Sequence, residues 1–191
     1  MEKKADIKWD ENLSIGVDWI DNQHKRLLNR MNKLINAIIQ KKSITEVGSI
    51  IRFLENYAEG HFSTESKYML ESSYPENDKH LKQHIKFIEK INNIRDEFRH
   101  AGASKELAVK IARETWDWYK YHISTADKAL GEFLKERKIS DKYGSIIEWT
   151  DDLYESLDAF IMFESDDRRL SSINDMRKTI DKIESHLTSN K

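Results

Sequence analysis

From Asp18 onward, apolar residues return every three or four positions: Ile20, Leu27, Leu28, Met31, Leu34, Ile35 and Ile38. That is the period of a helix buried on one side. Lys41 and Lys42 close this first helix. Ser43-Ile-Thr-Glu46 then has the spacing of a capping box, in which a hydroxyl and a carboxylate satisfy orphan backbone donors at a second helix start. The pattern predicts that this second helix runs to about Glu71 and breaks at Ser72-Ser-Tyr-Pro75. A third is expected from near Asp78 to about His100, ahead of Ala101-Gly-Ala-Ser104, and a fourth from Ser104 to about Lys138. Residues 1–17 lack the helical period and read as an extended arm carrying Trp9, Leu13, Ile15 and Val17. Long helices joined by short connections become antiparallel neighbours. The expected fold is therefore all-α, an up-down-up-down four-helix bundle with an N-terminal arm.

Residues 139–191 differ in character. They predict two further amphipathic helices, one marked by Ile146, Trp149, Leu153, Leu157, Phe160 and Ile161, the other by Ile173, Met176, Ile180, Ile183 and Leu187. Residues 1–138 carry 25 basic and 22 acidic side chains, whereas residues 139–191 carry 7 and 12. This charge shift divides the chain into a bundle domain, 1–138, and an acidic helical extension, 139–191. The three-and-four spacing on the second helix resembles heptad a and d positions but is too short to assert a coiled coil. Two readings stay open: the extension packs on the bundle, or it offers a surface for self-association or a protein partner. Ile7-Lys-Trp9-Asp-Glu-Asn-Leu13 echoes Ile147-Glu-Trp149-Thr-Asp-Asp-Leu153, but nothing after Leu153 continues the match. A second copy of the domain is not expected.

Composition removes several classes of function. The 191 residues include one Pro and six Gly, too few breakers for a turn-rich sheet protein. Five Trp, seven Tyr and seven Phe are enough to seed a core. A net charge of −2 gives no basic footprint for nucleic acid. Without cysteine, disulfides, thiolate zinc sites, iron–sulfur clusters and a cysteine nucleophile are all excluded. The longest apolar run, Ala159 to Phe163, is far short of the roughly 20 residues that span a bilayer. Met1-Glu-Lys-Lys-Ala-Asp6 has no apolar stretch of a signal peptide. The expectation is a soluble, cytoplasmic protein without membrane or nucleic-acid partners.

Seven histidines stand at 24, 61, 80, 84, 100, 122 and 186. A lone helical histidine is usually a surface or hydrogen-bonded residue, so spacing and placement must decide. His61-Phe-Ser-Thr-Glu65 puts an imidazole and a carboxylate one turn apart on one face, and His80-Leu-Lys-Gln-His84 does the same with two imidazoles. Each motif alone is weak. Together they fall late on helix two and early on helix three, with His24 early on helix one and His122 past the middle of helix four. In an alternating bundle these positions reach one level. Asp127 follows His122 by five residues, roughly 140° around an α-helix, so those two do not share a narrow face. Five imidazoles and two carboxylates are too many for one tetrahedral zinc. With both carboxylates bridging and one bridging oxygen, they supply two metals, one six-coordinate and one five-coordinate with an open position. Nitrogen and oxygen ligands with an open position suit a redox-active iron pair binding a small diatomic, although manganese, zinc or cobalt would also accept these ligands.

The run Gly16-Val-Asp-Trp-Ile-Asp21-Asn-Gln23-His24, with His61-x-x-x-Glu65, His80-x-x-x-His84 and Trp118-x-x-x-His122-Ile-x-x-x-Asp127, resembles the bacterial hemerythrin family over about residues 7–135. The resemblance implies an oxo- or hydroxo-bridged di-iron centre. His80, His84 and His122 would hold one iron, His24 and His61 the other, and Glu65 and Asp127 would bridge them. It further implies reversible dioxygen binding at the five-coordinate iron, in an apolar pocket formed by Phe62, Phe87, Trp118 and Ile123 with Leu28 nearby. The same positions read equally well as bundle core.

One position departs from the pattern: Tyr119 stands where the family usually places Leu. Pointing inward, its hydroxyl would hydrogen-bond bound peroxide or admit water, favouring autoxidation; pointing outward, it would change nothing. Glu97-Phe-Arg-His100 is a single E-x-x-H at a helix end, which makes His100 a surface residue, and His186 has no partner at ligand spacing. The expected function is dioxygen carriage, storage or sensing, without catalysis. Redox sensing, or oxidation of peroxide, nitric oxide or iron at the same centre, is the alternative. No further acid or base beside the site favours that alternative.

Overall fold

Helices α1 (Asp18–Ile39), α2 (Ile44–Glu71), α3 (Asn77–Ala101) and α4 (Lys105–His122) pack as neighbours in sequence, and α1 also packs on α4, which closes a four-helix bundle. These come from a computed structural model that describes residues 6–139, 144–162 and 166–189. Past His122 the fourth helix widens into a π turn, Ile123–Asp127, and continues as α5 (Lys128–Glu136). The chain divides into two compact units, Met1–Lys138 and Ile139–Lys191. No described helix is long and apolar enough to cross a membrane.

Local chemistry sets the helix starts. Ser43 Oγ accepts from the Glu46 amide at 3.2 Å while the Glu46 carboxylate accepts from the Ser43 amide at 3.1 Å, the reciprocal arrangement its spacing predicts. Ser104 caps α4 through the Leu107 amide at 3.0 Å. The interior is filled by Met31, Leu34, Leu54, Phe87, Ile91 and Ile111, all essentially inaccessible.

The N-terminal arm is held by hydrogen bonds as well as by apolar burial. After a short 3-10 turn at Glu11–Leu13, the buried Asp21 carboxylate gathers Ser14 Oγ at 2.6 Å, the Ile15 amide at 3.0 Å and the Gly16 amide at 3.2 Å. Gly16 has φ of +71°, a left-handed bend that an L side chain resists. Lys135 Nζ on α5 donates to the Ile15 carbonyl at 2.8 Å. The arm approaches α5 so closely that a Cβ at Gly131 would lie 3.1 Å from the Ile15 carbonyl oxygen and 3.0 Å from its side chain.

The second unit is a helical hairpin of α6 (Gly144–Met162) and α7 (Asp166–Ser189). Trp149 meets His186 at 5.1 Å between ring centroids, and Arg169 lies over Phe160 at 5.9 Å, so the helices run antiparallel. The echo between residues 7–13 and 147–153 has no structural counterpart, since the first is arm and the second is helix. Phe163, the end of the longest apolar run, lies outside the described residues.

Candidate metal centre

His24 near the start of α1, His61 and Glu65 late on α2, His80 and His84 early on α3, and His122 and Asp127 at the end of α4 meet at one level of the bundle. All seven are buried. Their donor atoms form two groups, each within 4.8 Å: Glu65, His80, His84, His122 and Asp127 in one; His24, His61, Glu65 and Asp127 in the other.

The carboxylates belong to both groups, one oxygen to each side. Glu65 Oε1 lies 3.7 Å from His61 Nε2, while Oε2 lies 3.4 Å from His80 Nε2 and 3.1 Å from His84 Nε2. Asp127 Oδ2 lies 3.0 Å from His24 Nε2, while Oδ1 lies 3.2 Å from His80 Nε2 and 3.0 Å from His122 Nε2.

The five-residue step from His122 to Asp127, awkward for an α-helix, is resolved by the π turn. Hydrogen bonding from i to i+5 brings the fifth residue back beneath the first. The extra residue is thus what lets one helix deliver both an imidazole and a carboxylate to the same point.

Two glutamines that spacing alone does not reveal fix the imidazoles. Gln23 Oε1 lies 2.7 Å from His61 Nδ1, and Gln83 Oε1 lies 2.9 Å from His122 Nδ1. An amide oxygen only accepts, so both histidines carry their proton on Nδ1 and turn bare Nε2 lone pairs inward. The available signal is the dipeptide Gln-His, which occurs at 23–24 and again at 83–84. Each glutamine precedes one of the clustered histidines yet braces another on a different helix.

This donor set calls for cations. His84 Nε2 lies 3.0 Å from both His80 Nε2 and His122 Nε2, a convergence that lone pairs tolerate only around positive charge. Among the described residues, both oxygens of Glu65 and of Asp127 are buried without a well-formed hydrogen bond. Protons feel the same pull. Burial lowers His80, but the Asp127 and Glu65 carboxylates beside its Nε2 outweigh it and push it up to about 10. Burial takes His61 the other way, down to about 4, and also lowers His84. Burial and mutual repulsion raise Glu65, but His61, His80 and His84 hold it well below the usual carboxylate range. Burial opposes ionisation of Asp127 too, and His122, His24 and His80 reverse it. The centre keeps its carboxylates ionised and its imidazole nitrogens aimed at one place, which fits two divalent or trivalent ions with nitrogen and oxygen ligation.

The surrounding apolar side chains divide into two sets. Phe62, Phe87 and Trp118 form an aromatic cluster over the three-histidine group. Phe62 stacks on His84 at 3.8 Å, Trp118 stacks on His122 at 4.5 Å, and Phe87 packs on Trp118 at 4.3 Å. Tyr119 lies on the other side, 6.1 Å from the His24 ring, with only 1% of its surface exposed. It points inward, but its hydroxyl donates to the His24 carbonyl oxygen at 2.8 Å. Leu28 and Ile123 are buried core residues. Trp9 of the arm stacks against His24 at 6.4 Å, a neighbour that ligand spacing gives no means to foresee. His100 is exposed and bonded to its own helix through the Asp96 carbonyl, and His186 packs on Trp149; neither belongs to the centre.

Comparison with known proteins agrees with this geometry. Residues 15–134 match the family model described as the hemerythrin HHE cation binding domain. The chain is 33% identical to a bacteriohemerythrin of Stenotrophomonas maltophilia over 68% of this chain and 82% of the relative. It is 29% identical to a bacteriohemerythrin of Pseudomonas aeruginosa over 64% and 78%, and 27% identical to a myohemerythrin of Theromyzon tessulatum over 63% and 87%. The family's cofactor is a di-iron centre, and a paired, carboxylate-bridged donor set at one level of a four-helix bundle is what such a centre requires; this chain belongs to the hemerythrin family.

Proposed function

We propose that this protein binds dioxygen reversibly at a di-iron centre held by His24, His61, Glu65, His80, His84, His122 and Asp127, and serves as an oxygen carrier, store or sensor rather than as an enzyme. The observation that carries this reading is the asymmetry of the two donor groups. One offers five residues and the other four, with Glu65 and Asp127 common to both. The four-residue group, containing His24 and His61, keeps room for an external ligand. An iron pair held by these residues would supply reversible electron donation to a diatomic gas.

The chain's own side chains support binding over turnover. Phe62, Phe87 and Trp118 cover the three-histidine group, and they and the buried Leu28 and Ile123 are aliphatic and aromatic side chains that hold water from the centre and bring no acid or base to it. Tyr119 contributes its ring beside His24 while its hydroxyl proton is committed to a backbone carbonyl. This weakens the case for Tyr119 as a promoter of autoxidation. Redox sensing or oxidase chemistry is accordingly the second reading.

The test is the visible spectrum of anaerobic, iron-reduced protein as air is admitted and then removed. A charge-transfer band that appears with air and bleaches on degassing supports reversible binding. Rapid, irreversible conversion to a diferric spectrum overturns it in favour of redox chemistry. Carrier and sensor separate on removal of residues 139–191: a carrier keeps its oxygen affinity, whereas a sensor loses coupling between the centre and the extension.

A further inference from the structure

Among the described side chains of α6, the exposed ones are Ser145, Ile146, Thr150, Tyr154, Leu157 and Ile161, none of them charged. Its acids at described positions, Glu148, Asp151, Asp152 and Glu155, are buried or half-buried, and Asp151 is only 6% exposed. Surface helices ordinarily show the reverse. The exposure is large: 37% for Ile146, 47% for Tyr154, 40% for Leu157 and 48% for Ile161.

These residues form one stripe. At about 100° per residue they span roughly 80° of the α6 circumference, about a quarter turn beyond the side on which Trp149 and Phe160 meet α7. On α7, Ile173, Ile180 and Leu187 repeat every seven residues and sit about a quarter turn, in the same sense, beyond the covered side marked by Ser172, Thr179 and the His186 that meets Trp149. Ile180 is 45% and Leu187 57% exposed. Because the helices are antiparallel, equal rotations in the same sense bring both stripes to one face of the hairpin.

We propose that this face is a homodimer interface, closed by the same face of a second copy of this chain around a two-fold axis that crosses α6 between Leu153 and Tyr154. The α6 stripe is its own complement when reversed: Ile146 falls opposite Ile161 of the second copy, Thr150 opposite Leu157, and Leu153 opposite Tyr154. A two-fold contact needs such self-complementarity, whereas an unrelated partner does not. The charge placement permits it as well. The described acids of α6, Glu148, Asp151, Asp152 and Glu155, lie off this stripe, so two copies of α6 can meet here without opposing these carboxylates. Two helices side by side along the roughly 28 Å of α6 offer on the order of 500–600 Å² per copy, the lower end of a specific interface, which corresponds to micromolar association.

Sedimentation velocity of the full iron-loaded chain, between about 1 and 200 μM, tests this. The expected result is a concentration-dependent shift from 22.6 kDa to twice that mass. Leu157→Lys should raise the dissociation constant at least about 30-fold with helicity and the iron spectrum unchanged. The chain has no cysteine, so single substitutions report the register directly. A mixture of Ile146→Cys and Ile161→Cys chains should cross-link on mild oxidation well beyond either variant alone. A monomer throughout the range, a dimer indifferent to Leu157→Lys, or no preference for the mixed cross-link would each overturn the proposal.

Discussion

The two glutamines act on metal affinity through the imidazoles they hold. Gln83 offers no ligand atom to either donor group, yet it fixes which nitrogen of His122 faces inward. Gln83→Leu should weaken iron retention about 10- to 100-fold against a competing chelator with little change in helicity, as expected for loss of a group that orients a ligand. Protonation gives a second expectation. In chain stripped of iron, His61 titrates at about 4 against 6.5 when unfolded, so the unfolded state binds more protons between those values. The stability of the stripped chain should therefore fall as pH drops from about 6.5 to 4, and further as Glu65 and Asp127 protonate, which a thermal melt at each pH would follow. Tyr119→Phe keeps the ring and removes the bond to His24. An oxygen-release rate or autoxidation rate that shifts severalfold would show that the α4-to-α1 tie positions His24. At this scale the sequence was legible where periodicity speaks. The i, i+4 pairs of α2 and α3 placed four donors, whereas the roles of Gln23 and Gln83 depend on which helix becomes the neighbour, and only the assembled bundle decides that.

Among the elements, the regular helices were readable from apolar spacing and caps, and the capping box at Ser43 formed as its spacing predicts. The π turn was not. Ile-Ser-Thr-Ala-Asp has no distinctive composition, and the widened turn persists because it delivers Asp127 to the centre and still leaves α5 in register with the arm. The arm and α5 are locked at Gly131, where contact with Ile15 excludes a methyl group. Gly131→Ala should cost about 1–3 kcal/mol, measured by denaturant unfolding, despite the better helix propensity of alanine. On α6 and α7 the apolar period marked the helices correctly. It could not say which side would be covered, because a hydrophobic stripe looks the same whether it faces its own chain or another.

For the whole molecule, metal stoichiometry follows from how the ligands are traded between helix pairs. Gln23 ties α1 to His61 on α2, and Gln83 ties α3 to His122 on α4, which makes two braced hairpins. Each hairpin gives one carboxylate across the divide: Glu65 reaches His80 and His84, and Asp127 reaches His24. Neither hairpin owns a complete coordination sphere. An ion entering on one side fixes the two shared carboxylates and so preorganises the other side. Filling should behave as a single event: titrated anaerobically with ferrous iron, the protein should pass from empty to doubly loaded with little of the singly loaded form, in native mass spectra, at half saturation. A chain built this way counts its metal in pairs.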